Sequence, residues 1–243
     1  MSREFKYSRK YYGDREIYKR ATVDINPGPT VLIGCNGSGK STLIFIIKEA
    51  LERNNVPFLY YNNLNEGGNY SMQNALVNQD FDTLSSLALA SEGEQITMNI
   101  CNKGKEMFRF LKTGLTDKDR KFMLFSRALD GKITKFETRE NSNERWFLFD
   151  AIDSGYSIDN VMDFKEYIIK PLMIEAKNQN KEAYFVITAN EYEMCVDFPC
   201  FNVVYGKYVN INSYEDYKKQ ILKTRQYKEK SVDLYESKIK IEE

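Results

Sequence analysis

The chain has 243 residues, 42% of them apolar and 29% charged, which suits one sizeable domain or one domain with an insertion. Its 35 basic and 35 acidic side chains cancel, so no global field points to nucleic acid or excludes it. No apolar run approaches the ~20 residues of a membrane helix, and the opening MSREFKYSRKYYGDR is too polar for a signal peptide, so a cytoplasmic location is expected.

The turn sequence NPGP (residues 26–29) leads into a short apolar strand expected at 30–33. Then comes GCNGSGKST (34–42), which satisfies G-x-x-x-x-G-K-[ST]. The following LIFIIKEALERNN places apolar residues 43, 46, 47, 50 and 51 on one helical face, with Asn54 and Asn55 as its end. A glycine-rich turn that matches by accident is the bland alternative; strand before and helix after decide for a phosphate-binding P-loop. Gly34, Gly37 and Gly39 let the backbone close around a phosphate at a helix N-terminus, with Asn36, Ser38 and Thr42 completing the loop. Lys40 has the position to reach β- and γ-phosphates, and Ser41 the position to ligate Mg²⁺.

A second strand is expected in PFLYYNN (57–63). LALASEGEQ (87–95) follows, where Ser91 and Glu94 read as a capping box before a helix with apolar residues at 96, 100, 107, 108 and 111. A serine at an exposed helix N-terminus is a second anion site; an ordinary capped helix explains the same letters. Residues 101–146 carry 12 Lys/Arg against 7 Asp/Glu in an otherwise neutral chain, interleaved with Phe108, Phe110, Phe122, Phe125, Phe136 and Trp146. Such a stretch binds nucleic acid, or it is a solvated helical pair whose aromatics pack on the core.

RWFLFD (145–150) is an apolar strand ending in an acid, the usual second half of a nucleoside-triphosphate site, with Asp150 as the Mg²⁺ carboxylate. Ala151 follows it, then Asp153 and SGYS (154–157). AYFVITAN (183–190) reads as a last apolar strand, and VVYGKYV (203–209) as two short strands turning at Gly206, before a helix from Ser213. Cys195 and Cys200 are spaced only loosely like a ligand pair, and without a second pair or any histidine no zinc site is expected. From Tyr227 the chain is charge-rich, with Val232, Tyr235 and Ile239 at helical spacing, either a docking helix or a frayed end.

The order of these motifs resembles that of ABC-class ATPase heads, above all the soluble SMC and DNA-repair branch, over about residues 20–210. Only the P-loop is specific by itself. SEGEQ resembles the family's signature, with Ser91 and Gly93 on its serine and second glycine, and SGYS falls at the D-loop. The resemblance implies an α/β fold of three layers, with a mostly parallel core sheet, an antiparallel N-terminal portion and a helical insertion. It implies ATP and Mg²⁺ as ligands, adenine stacked on Tyr11 or Tyr12, and a head-to-tail homodimer that sandwiches ATP. In that dimer Ser91 and Gly93 meet the γ-phosphate bound by the opposite subunit.

Three positions depart from the family. Ala151 stands where a glutamate polarises the attacking water, and Asn190 stands where the switch histidine would be, in a chain without histidine. No glutamine closes the strand at 57–63; Asn62, Asn63 and Gln73 are the candidates for its amide. Asp153, just past the strand end, is a candidate substitute base. Loss of a general base costs ~10²–10⁴ in rate, so the expectation is slow hydrolysis rather than lost binding. The expected protein is a single ATPase domain over 1–243, with an insertion at about 101–146 and a charged tail at about 227–243. Lys40, Asp150 and Asp153 are its catalytic set, and ATP state is passed to a protein partner or nucleic acid. A hydrolysis-deficient regulatory module is the alternative. A transporter subunit would need a coupling surface around a well-formed glutamine loop, and a P-loop kinase leaves SEGEQ unexplained. Richness in Lys, Asn, Ile and Tyr is that of an AT-biased genome, a low-GC bacterium or its phage.

Overall fold

The computed structural model describes residues 2–8, 20–63, 92–128, 134–154 and 156–242. Tyr11, Tyr12, Gln73 and Ser91 lie outside them. The chain opens with β1 (Arg3–Tyr7) and β2 (Ala21–Ile25), which pair antiparallel as a separate two-stranded sheet. β3 (Gly28–Ile33), α1 (Lys40–Arg53) and β4 (Phe58–Asn62) follow. Among the described residues three helices come next, α2 (Glu92–Thr113), α3 (Asp117–Ala128) and α4 (Thr134–Asn141), before β5 (Glu144–Asp150). α5 (Ile158–Phe164) runs through a π-helical turn (Lys165–Ile169) into α6 (Lys170–Asn178). The rest is β6 (Glu182–Thr188), a short α7 (Tyr192–Cys195), β7 (Cys200–Asn202), β8 (Lys207–Val209) and the 29-residue α8 (Tyr214–Glu242).

The main sheet has the order β4-β5-β6-β3-β7-β8, parallel at every pairing except β7 with β8. Strands buried on both faces read as continuous apolar runs, and the period of two sorts their side chains cleanly. Odd-numbered Val31, Ile33, Phe147, Phe149, Phe185 and Ile187 face α2, α5 and α6 through Phe110, Phe164 and Leu172. Even-numbered Leu32, Trp146, Leu148, Tyr184 and Val186 face α1 and the β1–β2 sheet through Leu43, Ile47, Val23 and Ile25. Trp146 stacks on Tyr184 at 4.1 Å between ring centres, and Phe147 on Phe185 at 4.9 Å. The three-layer α/β architecture with a mostly parallel core sheet and an antiparallel N-terminal portion is therefore the one expected. No helix among the described residues is long and apolar enough to cross a membrane.

Two details differ from the sequence reading. The strand before Gly206 is Cys200–Asn202, and Val203 and Val204 belong to the turn. The cause is Asn202, whose side-chain oxygen accepts from the N–H groups of Val204 and Tyr205 and curls the chain there. The helix capped by Ser213, whose hydroxyl accepts from Asp216 N–H at 3.1 Å, continues unbroken past Tyr227.

Helices α2 and α4 are held to the sheet by a buried arginine. Arg145, fully buried, donates to the carbonyls of Leu111 (2.8 Å), Ser142 (2.7 Å), Glu144 (2.8 Å) and Glu140 (3.3 Å). Phe110, Phe136 and Trp146 are buried and Phe108 packs partly against the core, whereas Phe122 is exposed. Most of the rings that a stacking platform for bases would need are thus taken up by packing.

Candidate functional site

The site forms where the C-terminal ends of β3, β4, β5 and β6 meet the N-terminus of α1, the edge at which open parallel sheets bind ligands. β3 ends at Ile33, and the chain turns through Gly34 to Gly39 before α1 starts at Lys40. Gly37 (φ 68°) and Gly39 (φ 98°) are in left-handed conformations that only glycine adopts at little cost. At Gly34 a Cβ would lie 2.5 Å from Ser38 Oγ, so the close approach itself requires glycine. Ser38 N–H donates to Cys35 O at 3.0 Å, closing the loop. Ser38 is buried and its hydroxyl has no hydrogen-bond partner among the described residues. Asn36 is exposed at the rim, as are Ser41 and Thr42 at the start of α1.

Lys40 is 8% exposed and its ammonium donates to Gly34 O at 2.8 Å, so its side chain lies back along the loop it follows. Burial pulls its pKa down, and the opposing charges of Asp153 first, then Cys35 and Asp150, pull it up. Ser41 Oγ donates to Asp150 Oδ1 at 2.9 Å, across 109 residues of sequence.

Asp150 is 5% exposed and ringed by donors from three elements. Thr188 Oγ1, at the end of β6, donates to Oδ1 at 2.8 Å. Asn62 Nδ2 approaches Oδ2 at 3.3 Å and the Tyr60 hydroxyl at 3.5 Å, both from β4. The parallel register pairs Asn62 directly with Asp150. Of the two amide candidates among the described residues, Asn62 is the one against the carboxylate. Asn63 instead donates to Ser154 O at 2.6 Å and accepts from the Tyr61 hydroxyl at 3.1 Å, which fixes the loop after Asp150. Thr188 and Tyr60 were not singled out in the sequence. Thr188 had one legible signal, a lone polar residue near the end of an apolar strand beside that of Asp150.

Ala151 adopts φ 51°, left-handed for an alanine. Its N–H donates to Thr188 Oγ1 at 2.7 Å and its carbonyl accepts from Ser154 N–H at 3.0 Å. Asp153 is 4% exposed, and its Oδ2 accepts from the N–H groups of Asn190 and of Glu191, the latter at 2.7 Å. Its Oδ1 is buried without a partner among the described residues. Burial raises its pKa, against the two backbone amides and Lys40. Asn190 is exposed, and its carbonyl accepts from the Tyr217 hydroxyl. Gly93 lies in the first turn of α2.

The donor set fits a nucleotide and a hard cation. Oxygen donors of Ser41 and Asp150 suit Mg²⁺, which is commonly held by one carboxylate and phosphate oxygens. The buried Ser38 hydroxyl and the Asp153 oxygen are polar groups with unused bonding capacity. Chemically, the arrangement has the groups to bind phosphate, neutralise its charge and hold a cation beside it. The residue after Asp150 offers no carboxylate to polarise a water.

No family model matches the chain, and no curated protein is similar to it. Among solved structures it is similar to one described as the ADP conformation of MJ1267, an ATP-binding cassette of an ABC transporter. The TM-score is 0.42 and the identity 17%, covering 90% of this chain and 94% of that one. A likeness at that level has no bearing on what the site does.

Proposed function

We propose that the chain is an ATP-binding, ABC-type ATPase of slow turnover, a switch that changes state with nucleotide and acts on a partner. The observation that carries this reading is the Ser41–Asp150 pair beside the buried Lys40, with Ala151 in the next position. Backbone N–H groups within residues 34–42, other than those of Cys35 and Ser38, and the Lys40 ammonium bind the phosphates of ATP. Ser41 and Asp150 hold Mg²⁺, which supplies positive charge to the β- and γ-phosphate oxygens. Asn62 and Thr188 keep the Asp150 carboxylate turned toward Ser41. The finer features follow the resemblance in the sequence. They are one domain with its insertion and tail, a tie to the SMC and repair-type branch, and adenine against Tyr12. To these is added a head-to-tail homodimer in which Ser91 and Gly93 of one copy meet ATP on the other.

A second reading, a relocated base, is favoured by the buried, unpartnered Oδ1 of Asp153. The two readings separate on phosphate release by Ala151→Glu and Asp153→Asn. Glutamate is unbranched at Cβ, so the left-handed backbone at 151 accepts it about as well as alanine. A detuned switch gains up to ~10²-fold turnover in Ala151→Glu and is indifferent to Asp153→Asn. Loss of turnover in Asp153→Asn at intact ATP affinity, without gain in Ala151→Glu, establishes the relocated base and overturns the slow-switch reading.

A further inference from the structure

The phosphate loop has a second wall. A cavity of about 560 Å³ opens between the loop and α8, lined by Gly34, Cys35 and Asn36 on one side and by Lys218, Arg225 and Lys228 on the other. If residues 34–42 hold ATP, it lies at the γ-phosphate end. The lysine of a P-loop reaches the β- and γ-phosphates, and the Lys40 ammonium rests against Gly34 O, where this cavity begins.

α8 is fastened to that end by two side chains. Thr224 is fully buried, and its hydroxyl oxygen accepts from Cys35 N–H at 3.0 Å while donating to Ile221 O at 2.7 Å. One turn on, Lys228 Nζ donates to Asn36 O at 3.0 Å. A Cβ on Gly37 would lie 2.9 Å from that ammonium, so Lys228 lies directly over the loop. An ammonium has three N–H donors, and one of them serves Asn36. Arg225, by contrast, is engaged by Glu229 at 2.9 Å on its own helix.

We propose that Lys228 is a nucleotide-binding residue: from α8 it closes the γ-phosphate end of the loop with a second cation and makes the site prefer a triphosphate to a diphosphate. This rests on the reading of residues 34–42 as an ATP site. A lysine that only clasped Asn36 would stiffen the loop for every nucleotide alike, whereas a phosphate ligand at this end acts on the group that ADP lacks.

The test is equilibrium binding of Mg²⁺–ADP and of a nonhydrolysable Mg²⁺–ATP analogue to the full chain, for wild type, Lys228→Ala, Lys228→Arg and Lys40→Ala. Lys228 is only half-buried and lies outside the hydrophobic core, so the alanine variant is expected to fold, which circular dichroism checks. The expected result is about 10-fold weaker binding of the ATP analogue to Lys228→Ala, the scale of one charge-assisted bond. ADP changes less than about 2-fold, and Lys228→Arg recovers most of the loss. Equal effects on both nucleotides, or none, with Lys40→Ala still abolishing binding, overturn the role of Lys228 and leave the ATP site standing. No nucleotide binding by the wild type, or full binding by Lys40→Ala, overturns both.

Discussion

Ala151 shows what one residue reveals in sequence and what it hides. Its missing carboxylate was legible as a letter; its left-handed backbone was not. That conformation costs an L-residue roughly 1–2 kcal/mol and is held by bonds to Thr188 and Ser154, partners fixed by the fold. Asp153 was legible as a nearby acid, but its two backbone donors come from residues 37 and 38 positions away. Its raised pKa makes a prediction for the nucleotide-free protein. The folded state binds the Asp153 proton more tightly than the unfolded state does. This site's stability is therefore fully present below the ordinary carboxylate value and is lost as pH rises through the raised folded value. Asp153→Asn removes the titration while keeping an oxygen for the two amides. Melting temperatures measured from about pH 4 to about pH 8 should fall more steeply with rising pH in the wild type than in the variant. Parallel curves would show that Asp153 does not titrate with folding.

Among elements, local patterns were legible and pairings were not. Strand, loop and α1 follow one another within residues 28–53, so spacing alone located this strand–loop–helix unit. The alliance of Asn62 with Asp150 depends on the parallel register of β4 and β5, 88 residues apart, which no local periodicity encodes. The charge count of residues 101–146 hides a pairing of the same kind, since it does not tell a surface arginine from Arg145. With its guanidinium buried, that side chain joins the ends of α2 and α4 to β5 through carbonyls alone, and burial lowers its pKa to about 10. Arg145→Met would leave those carbonyls without their donor. A loss of about 3 kcal/mol is expected, given roughly 1–3 kcal/mol for each buried group left unsatisfied and incomplete additivity. Urea unfolding should show a lower midpoint at unchanged slope. A loss below about 1 kcal/mol would mean that solvent reaches the carbonyls and that Arg145 is not the fastening.

At the scale of the whole molecule, α8 occupies the face that the proposed head-to-tail pairing would use. The proposed head-to-tail pairing brings Ser91 of the other subunit to the γ-phosphate, and α8 already lines that end of the loop through Thr224 and Lys228. Pairing then requires the helix to yield. Ending the chain after Gln226 keeps Thr224 and removes Lys228 with the distal half of α8. In the presence of Mg²⁺–ATP, light scattering should find a larger dimer fraction for the shortened chain than for the full one. An equal or smaller fraction would place the pairing surface elsewhere.

The helix runs on for 14 residues beyond Lys228, about 21 Å at 1.5 Å per residue. Its two grips fall on the loop proposed to hold the triphosphate, and on that reading posture of the helix and occupancy of the loop form a single linked equilibrium. Such linkage is reciprocal: whatever factor ATP imposes on the binding of a molecule to the far end of α8, that molecule imposes on ATP. If the site is the slow switch proposed above, it reports in this way, in its affinity alone, on an event several turns of helix away.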